Sequence, residues 1–192
     1  MHLAYVLHTR LYRDTSLLVD LFSREHGRMS AIARGVRGQK SRHRGLLQPF
    51  TPLFIAWFGK SDLVTLNGIE PNGAPYYLTG NRLLSGLYMN ELLVRALHQG
   101  DPHPALYDEY ATSTTALAKA DSGKEIELIL RLFEKRLLQE IGYGGENLHT
   151  LTRETLITDQ HFLNAKRLMR TALLPIIGNR PLKSRELFMY QT

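Results

Sequence analysis

The strongest constraint on this chain is a change of hydrophobic period at Pro71-Asn72-Gly73-Ala74-Pro75. Upstream of it, Leu3 to Thr9, Ser16 to Phe22 and Arg28 to Arg34 are short runs rich in aliphatic residues and bounded by polar or glycine turns, the pattern of strands. Two more, Pro52 to Phe58 and Asp62 to Ile69, are joined by Gly59-Lys60-Ser61 as in a hairpin. Five strands in some 70 residues predict a small barrel, because closure removes the exposed edges of an open sheet. Downstream the period is helical. Leu83, Leu84, Leu87, Leu92, Leu93 and Leu97 share one face of a helix over 81–98, closed by Gly100 and Pro102. Further helices are expected over 104–120, 123–141 and 158–177, with Ser184 capping a short terminal one. The expected class is α+β in two domains, a barrel over residues 1–75 and an all-helical bundle over 76–192.

A folded chain of 192 residues buries roughly 70% of its unfolded surface, so it needs no covalent staples. It has no cysteine, which excludes disulfides, iron–sulfur clusters, thiolate zinc sites and a thiol nucleophile. No apolar run approaches the roughly 20 residues that span a bilayer, and the start lacks the pattern of a secretory signal. The expectation is a soluble, cytoplasmic protein without membrane contact.

Charge is unevenly placed. The first 60 residues hold ten Lys and Arg against three Asp and Glu, while the other 132 hold fourteen against fifteen. A field confined to one module suggests a polyanion partner for that module. Within it, residues 35–45 carry Arg37, Lys40, Arg42 and Arg44, three glycines and no acid. Such a stretch suits neither a buried strand nor a helix and reads as a flexible basic loop.

Catalytic constellations are missing from this pattern. The glycines at 35, 38 and 45 do not have phosphate-loop spacing, the eight histidines are scattered, and Asp14 and Asp20 lie about 20 Å apart along an extended segment. No enzyme activity, metal or cofactor is expected. Single-strand binding fits better, with cations following phosphates and bases stacking on rings. Candidate cations are Arg10, Arg13, Arg28, Arg34, Arg37, Lys40, Arg42 and Arg44; candidate rings are Tyr5, Tyr12, Phe22 and Phe54, which a barrel core could equally claim. An RNA-binding barrel, or an adaptor that binds no DNA, would use the same composition.

Five dispersed motifs then resemble a known family. Thr15-Ser16-Leu17-Leu18-Val19-Asp20-Leu21-Phe22, Ala33-Arg34-Gly35-Val36-Arg37, Leu47-Gln48-Pro49-Phe50-Thr51-Pro52, Gly86-Leu87-Tyr88-Met89-Asn90-Glu91-Leu92-Leu93 and Arg180-Pro181-Leu182-Lys183-Ser184-Arg185-Glu186-Leu187-Phe188, together with Ile141-Gly142-Tyr143-Gly144, resemble the RecO family of bacterial DNA-repair proteins. The resemblance implies an N-terminal OB-fold followed by a helical domain, in a nucleoid-associated recombination mediator of the RecF pathway. Such a protein binds single- and double-stranded DNA, anneals complementary strands, contacts the C-terminal tail of SSB, and with RecR helps load RecA on SSB-coated DNA. For the acidic SSB tail, Arg131 is the best match to the family's tail-binding arginine, with Leu132 and Lys135 beside it; ion pairs of these cations with Glu127 and Glu134 are the alternative. Some family members hold zinc through four cysteines in a longer segment after Tyr143-Gly144. Here the corresponding stretch, 145–160, is short and without cysteine, so zinc is not expected.

Overall fold

The computed structural model describes residues 1–39, 41–43, 45–178 and 181–184, with Glu146 and Asn147 described by their backbone alone. They form two compact units: Met1–Tyr77 together with Leu97–Tyr107, and Leu78–Ala96 together with Asp108–Thr192.

In the first unit β1 (His2–Tyr12), β2 (Ser16–Ser23), β3 (Gly27–Ala33), β4 (Pro52–Phe58) and β5 (Leu63–Pro71) close into a barrel in the order β1-β2-β3-β5-β4. Four ladders are antiparallel and β3 pairs with β5 in parallel. This is the OB-fold topology. Alternation along each strand sends Ala4 and Val6, Val19 and Leu21, Met29 and Ala31, and Leu53 and Ile55 inward to one core. Burying a Leu or Ile side chain there contributes roughly 1.5–3 kcal/mol.

A bulge at Leu7 shifts the register between Val6 and His8. An extra residue on one strand changes which side chains share a face. On the outer surface Tyr5 stands opposite Phe22, but after the bulge it is His8 that faces Asp20 and Arg10 that faces Leu18.

The described residues of the connection over 34–51 form successive turns. Arg37 N–H donates to the Thr15 carbonyl at 2.9 Å, Gly38 to Gly35 at 3.1 Å, Ser41 to Gly38 at 3.0 Å and Leu46 to His43 at 3.1 Å. Val36 and Leu47 are buried and join the barrel core. Apolar anchors therefore stand on both sides of the basic stretch.

The stretch 97–107 straps β3. The parallel β3–β5 ladder covers only Ser30 to Ile32, which leaves the start of β3 open on that side. Arg28 and Gln99 form a parallel bridge there, the Gly100 N–H donates to the Arg28 carbonyl at 2.9 Å, and Gln99 Nε2 donates to Ser30 Oγ at 2.9 Å. Gly27 has φ +66°, and a Cβ on it would lie 1.9 Å from the Asp101 carbonyl oxygen. Only glycine meets both demands.

The second unit contains α1 (Gly80–Ala96), α3 (Gly123–Glu140), the single turn α4 (Glu146–His149), α5 (Asp159–Ile177) and all of α2 (Pro104–Lys119) beyond Tyr107. Helices α1, α3 and α5 pack on one another, burying Met89, Leu92 and Leu93, Phe133 and Leu137, and Met169 and Leu173. Ser122 caps α3 by accepting from Glu125 N–H, while Glu125 Oε2 accepts from Asp121 N–H, which satisfies amide donors otherwise unpaired at a helix start. Thr158 and His161 do the same for α5. The terminal helix expected after Ser184 falls mostly outside the described residues. Ser184 itself donates through its backbone N–H and its hydroxyl to Glu91 Oε2, at 3.0 and 2.8 Å.

Candidate nucleic-acid interface

The outer face of β1, β2 and β3 is organised around one acid. Asp20 is 8% exposed; Ser30 Oγ donates to its Oδ1 at 2.9 Å. Arg10 and Arg28 reach it at 3.8 Å each, and His8 at 4.0 Å. A buried carboxylate needs such neighbours, since an unpaired charge in this position is costly. Two of the expected cations are therefore tied to structure in different degrees. Arg28 is mostly covered and donates Nε to the Leu97 carbonyl at 3.1 Å, so it serves the strap. Arg10 remains 62% exposed at its side chain and keeps donors for a ligand.

A second set of cations lies on the β1–β2 turn and on the connection that follows β3. The β1–β2 turn brings Arg13, at φ +51°, with its guanidinium 5.2 Å from the Tyr12 ring centroid. Arg37 donates Nη1 to the Arg13 carbonyl at 3.3 Å. Arg34 directly follows β3, and Arg42 lies in the same connection as Arg37. Arg13, Arg34, Arg37 and Arg42 are all exposed, and among the described residues none has a carboxylate partner. Lys40 and Arg44 lie outside the described residues. Arg37 also lines a cavity of about 290 Å³, together with Leu17, Val36, His43, Gly45 and Leu47. Nothing in the sequence pattern pointed to it, because its walls come from β2 and from both ends of the 34–51 connection.

The expected stacking rings are mostly covered. Tyr5 and Phe22 lie on the outer face, yet each has the Tyr107 ring 5.6 Å away and both are buried. Burial, helped by Tyr76, pushes the Tyr5 phenol up to about 12, so it stays neutral. Tyr12 and Phe54 are half-buried. Elsewhere on the barrel His2, His26 and Trp57 form a ring cluster, with centroids 4.4 to 4.9 Å apart.

In the helical unit Arg131 is 6% exposed. Its Nη2 donates to Glu134 Oε1 at 2.9 Å, and the Tyr88 hydroxyl donates to the same oxygen at 2.5 Å. The ion pair with Glu134 is formed, buried rather than exposed as the sequence alternative has it. Lys135 is half-buried and donates to the Leu151 carbonyl at 2.8 Å; Leu132 is half-buried. Among the described residues no helix is long and apolar enough to cross a membrane, and no three His, Asp or Glu are grouped to hold a metal.

Comparison with known proteins agrees along nearly the whole chain. Residues 2–74 match the family described as Recombination protein O N terminal, and residues 78–146 match Recombination protein O C terminal. A DNA repair protein RecO of Coxiella burnetii (strain RSA 493 / Nine Mile phase I) is 38% identical, covering 96% of this chain and 95% of the relative. One from Haemophilus influenzae (strain ATCC 51907 / DSM 11121 / KW20 / Rd) is 40% identical over 96% and 93%, and one from Aliivibrio salmonicida (strain LFI1238) 37% over 98% and 94%. These alignments run over 223 to 228 positions against 192 residues here, so the relatives carry internal residues that this chain lacks.

Proposed function

This chain belongs to the RecO family of DNA repair proteins, and we propose that it is a recombination mediator that gathers DNA strands on its barrel and lets complementary strands pair. A role in DNA repair and recombination follows from the family. The finer reading rests on one observation: Arg13 and Arg37 meet across two connections, and neither they nor the exposed Arg34 and Arg42 of the second connection have a described carboxylate partner. Such cations take phosphates without regard to sequence. Annealing then needs no nucleophile and no nucleotide cofactor, since base pairing itself supplies the free energy. Lowering the repulsion between two polyanions is all the protein has to contribute.

The partners proposed are single- and double-stranded DNA, the SSB tail and RecR, with RecA loading as the outcome. For the tail, Arg131 acts from inside a buried pair, so its guanidinium orders the surface that Leu132 and Lys135 present rather than standing free as a point charge. The RNA-binding and adaptor alternatives gain no support from the family. Fluorescence anisotropy against salt tests the reading. With about five phosphates neutralised, log affinity for single strands falls with log salt at a slope of roughly −3 to −4. Replacing Arg13, Arg34, Arg37 and Arg42 by Ala flattens that slope and abolishes annealing of SSB-coated complementary oligonucleotides in buffer without nucleotide. A wild-type slope near zero, or unaltered annealing by the fourfold variant, overturns it.

A further inference from the structure

The barrel-end cavity has two kinds of wall. Val36 and Leu47 are buried members of the core and Leu17 is half-buried, giving an apolar floor. Arg37 and His43 supply the polar wall. Its volume of about 290 Å³ sits at the lower end of small-molecule sites, which run roughly from 300 to 1,000 Å³. That is room for one planar ring system and not for a run of them. An apolar floor with a cation at its edge suits a ligand that is flat and weakly polar at one end and anionic at the other.

Two observations choose among such ligands. The Arg37 guanidinium is held at the Arg13 carbonyl and shares its connection with the exposed Arg34 and Arg42, and several cations in succession match repeated phosphates better than one terminal carboxylate. In addition, Tyr107 covers Tyr5 and Phe22, so two of the four rings that would stack bases on the strands are withdrawn. Bases of a bound strand need another apolar surface. We propose that the cavity lined by Leu17, Val36, Arg37, His43 and Leu47 takes in a single unstacked nucleobase of a bound strand, Arg37 holding the neighbouring phosphate. The proposal rests on the strand-binding reading above and deepens it: the barrel grips one base as well as the backbone.

The full chain is titrated by anisotropy with labelled dT12 and with a strand of equal length whose central residues are abasic. The wild type binds dT12 more tightly by roughly tenfold, the scale of one base held against an apolar surface. Leu17→Phe fills the cavity and brings that ratio to about one. As a measurement independent of any variant, a 2-aminopurine within the strand becomes shielded from acrylamide quenching when the wild type binds. If no strand binds at all, the strand-binding reading fails with it. If dT12 and the abasic strand bind equally, or the 2-aminopurine stays fully quenchable, strand binding stands and the cavity proposal falls. It falls also if a folded Leu17→Phe keeps the tenfold ratio. Displacement of dT12 from the wild type, but not from Leu17→Phe, by an acidic peptide with an apolar C-terminal residue reassigns the cavity to a peptide.

Discussion

Arg131 carries its charge into the interior of the helical unit, and what it meets there sets the cost of removing it. Glu134 is buried and shares one oxygen between Arg131 and the Tyr88 hydroxyl. Truncating one partner of a buried pair leaves the other charge uncompensated, at about 3–5 kcal/mol. Arg131→Ala is therefore expected to lower the denaturant midpoint strongly at an unchanged m-value, and a loss of tail binding in that variant reports on folding before it reports on recognition. Glu91 is a second such residue. Burial pushes its carboxyl up, but the Ser184 N–H and hydroxyl, the Lys183 N–H and the Arg95 guanidinium together outweigh burial and hold it below its ordinary 4.5. A depressed folded-state pKa stabilises fully above the unfolded value and is lost as pH falls through the folded one. Hydrogen exchange at the Lys183 and Ser184 amides should thus accelerate as pH drops below about 4.5, after correction for intrinsic rates, and Glu91→Gln should show fast exchange already at neutral pH. Neither residue was legible as a structural anchor. An Arg three residues before a Glu on a helix reads equally well as an exposed pair, and Lys183 and Ser184, which anchor Glu91, lie more than ninety positions from it.

All five strands and the four long helices appear where the sequence periods place them, with ends shifted by at most three residues and β4 not at all. Length and alternation carried that information. What escaped were features that leave the alternation untouched. The bulge at Leu7 is silent because Val6 and Leu7 are both apolar, yet it decides that His8 rather than Leu7 faces Asp20. The strap was equally hidden: Gln99-Gly100-Asp101 reads as a helix stop, and only the tertiary fold turns it into a partner for β3. Of the basic residues, Arg13 and Arg37 meet through a hydrogen bond between two connections, whereas Arg28 is spent on the strap, a distinction that counting charges misses. Gly27 offers a clean test of the strap. Gly27→Ala forces a left-handed backbone on alanine and drives its Cβ into the Asp101 carbonyl, so a loss of more than about 2 kcal/mol is expected in thermal or urea unfolding. Gly35→Ala has the same positive φ but open space around it, and should cost about 1 kcal/mol.

At the scale of the molecule, basic excess and barrel coincide. The strap adds a condition to that coincidence. Tyr107, at its end, lies 5.6 Å from both Tyr5 and Phe22 on the barrel's outer face. A fragment ending at Tyr77 keeps every strand and loses this cover, exposing two large rings beside the cations. Such a fragment should melt well below the barrel in the full chain and bind the dye ANS. A fragment as stable as the intact barrel, with no dye binding, would show the strap to be dispensable.

The polypeptide leaves the barrel unit at Tyr77, returns at Leu97 and departs again after Tyr107, so it is stitched rather than strung like two beads. No single cut in the gene releases either half complete. Exchange of the barrel module between relatives by one crossover would bring a barrel without its own buckle, so barrel and buckle must be inherited together.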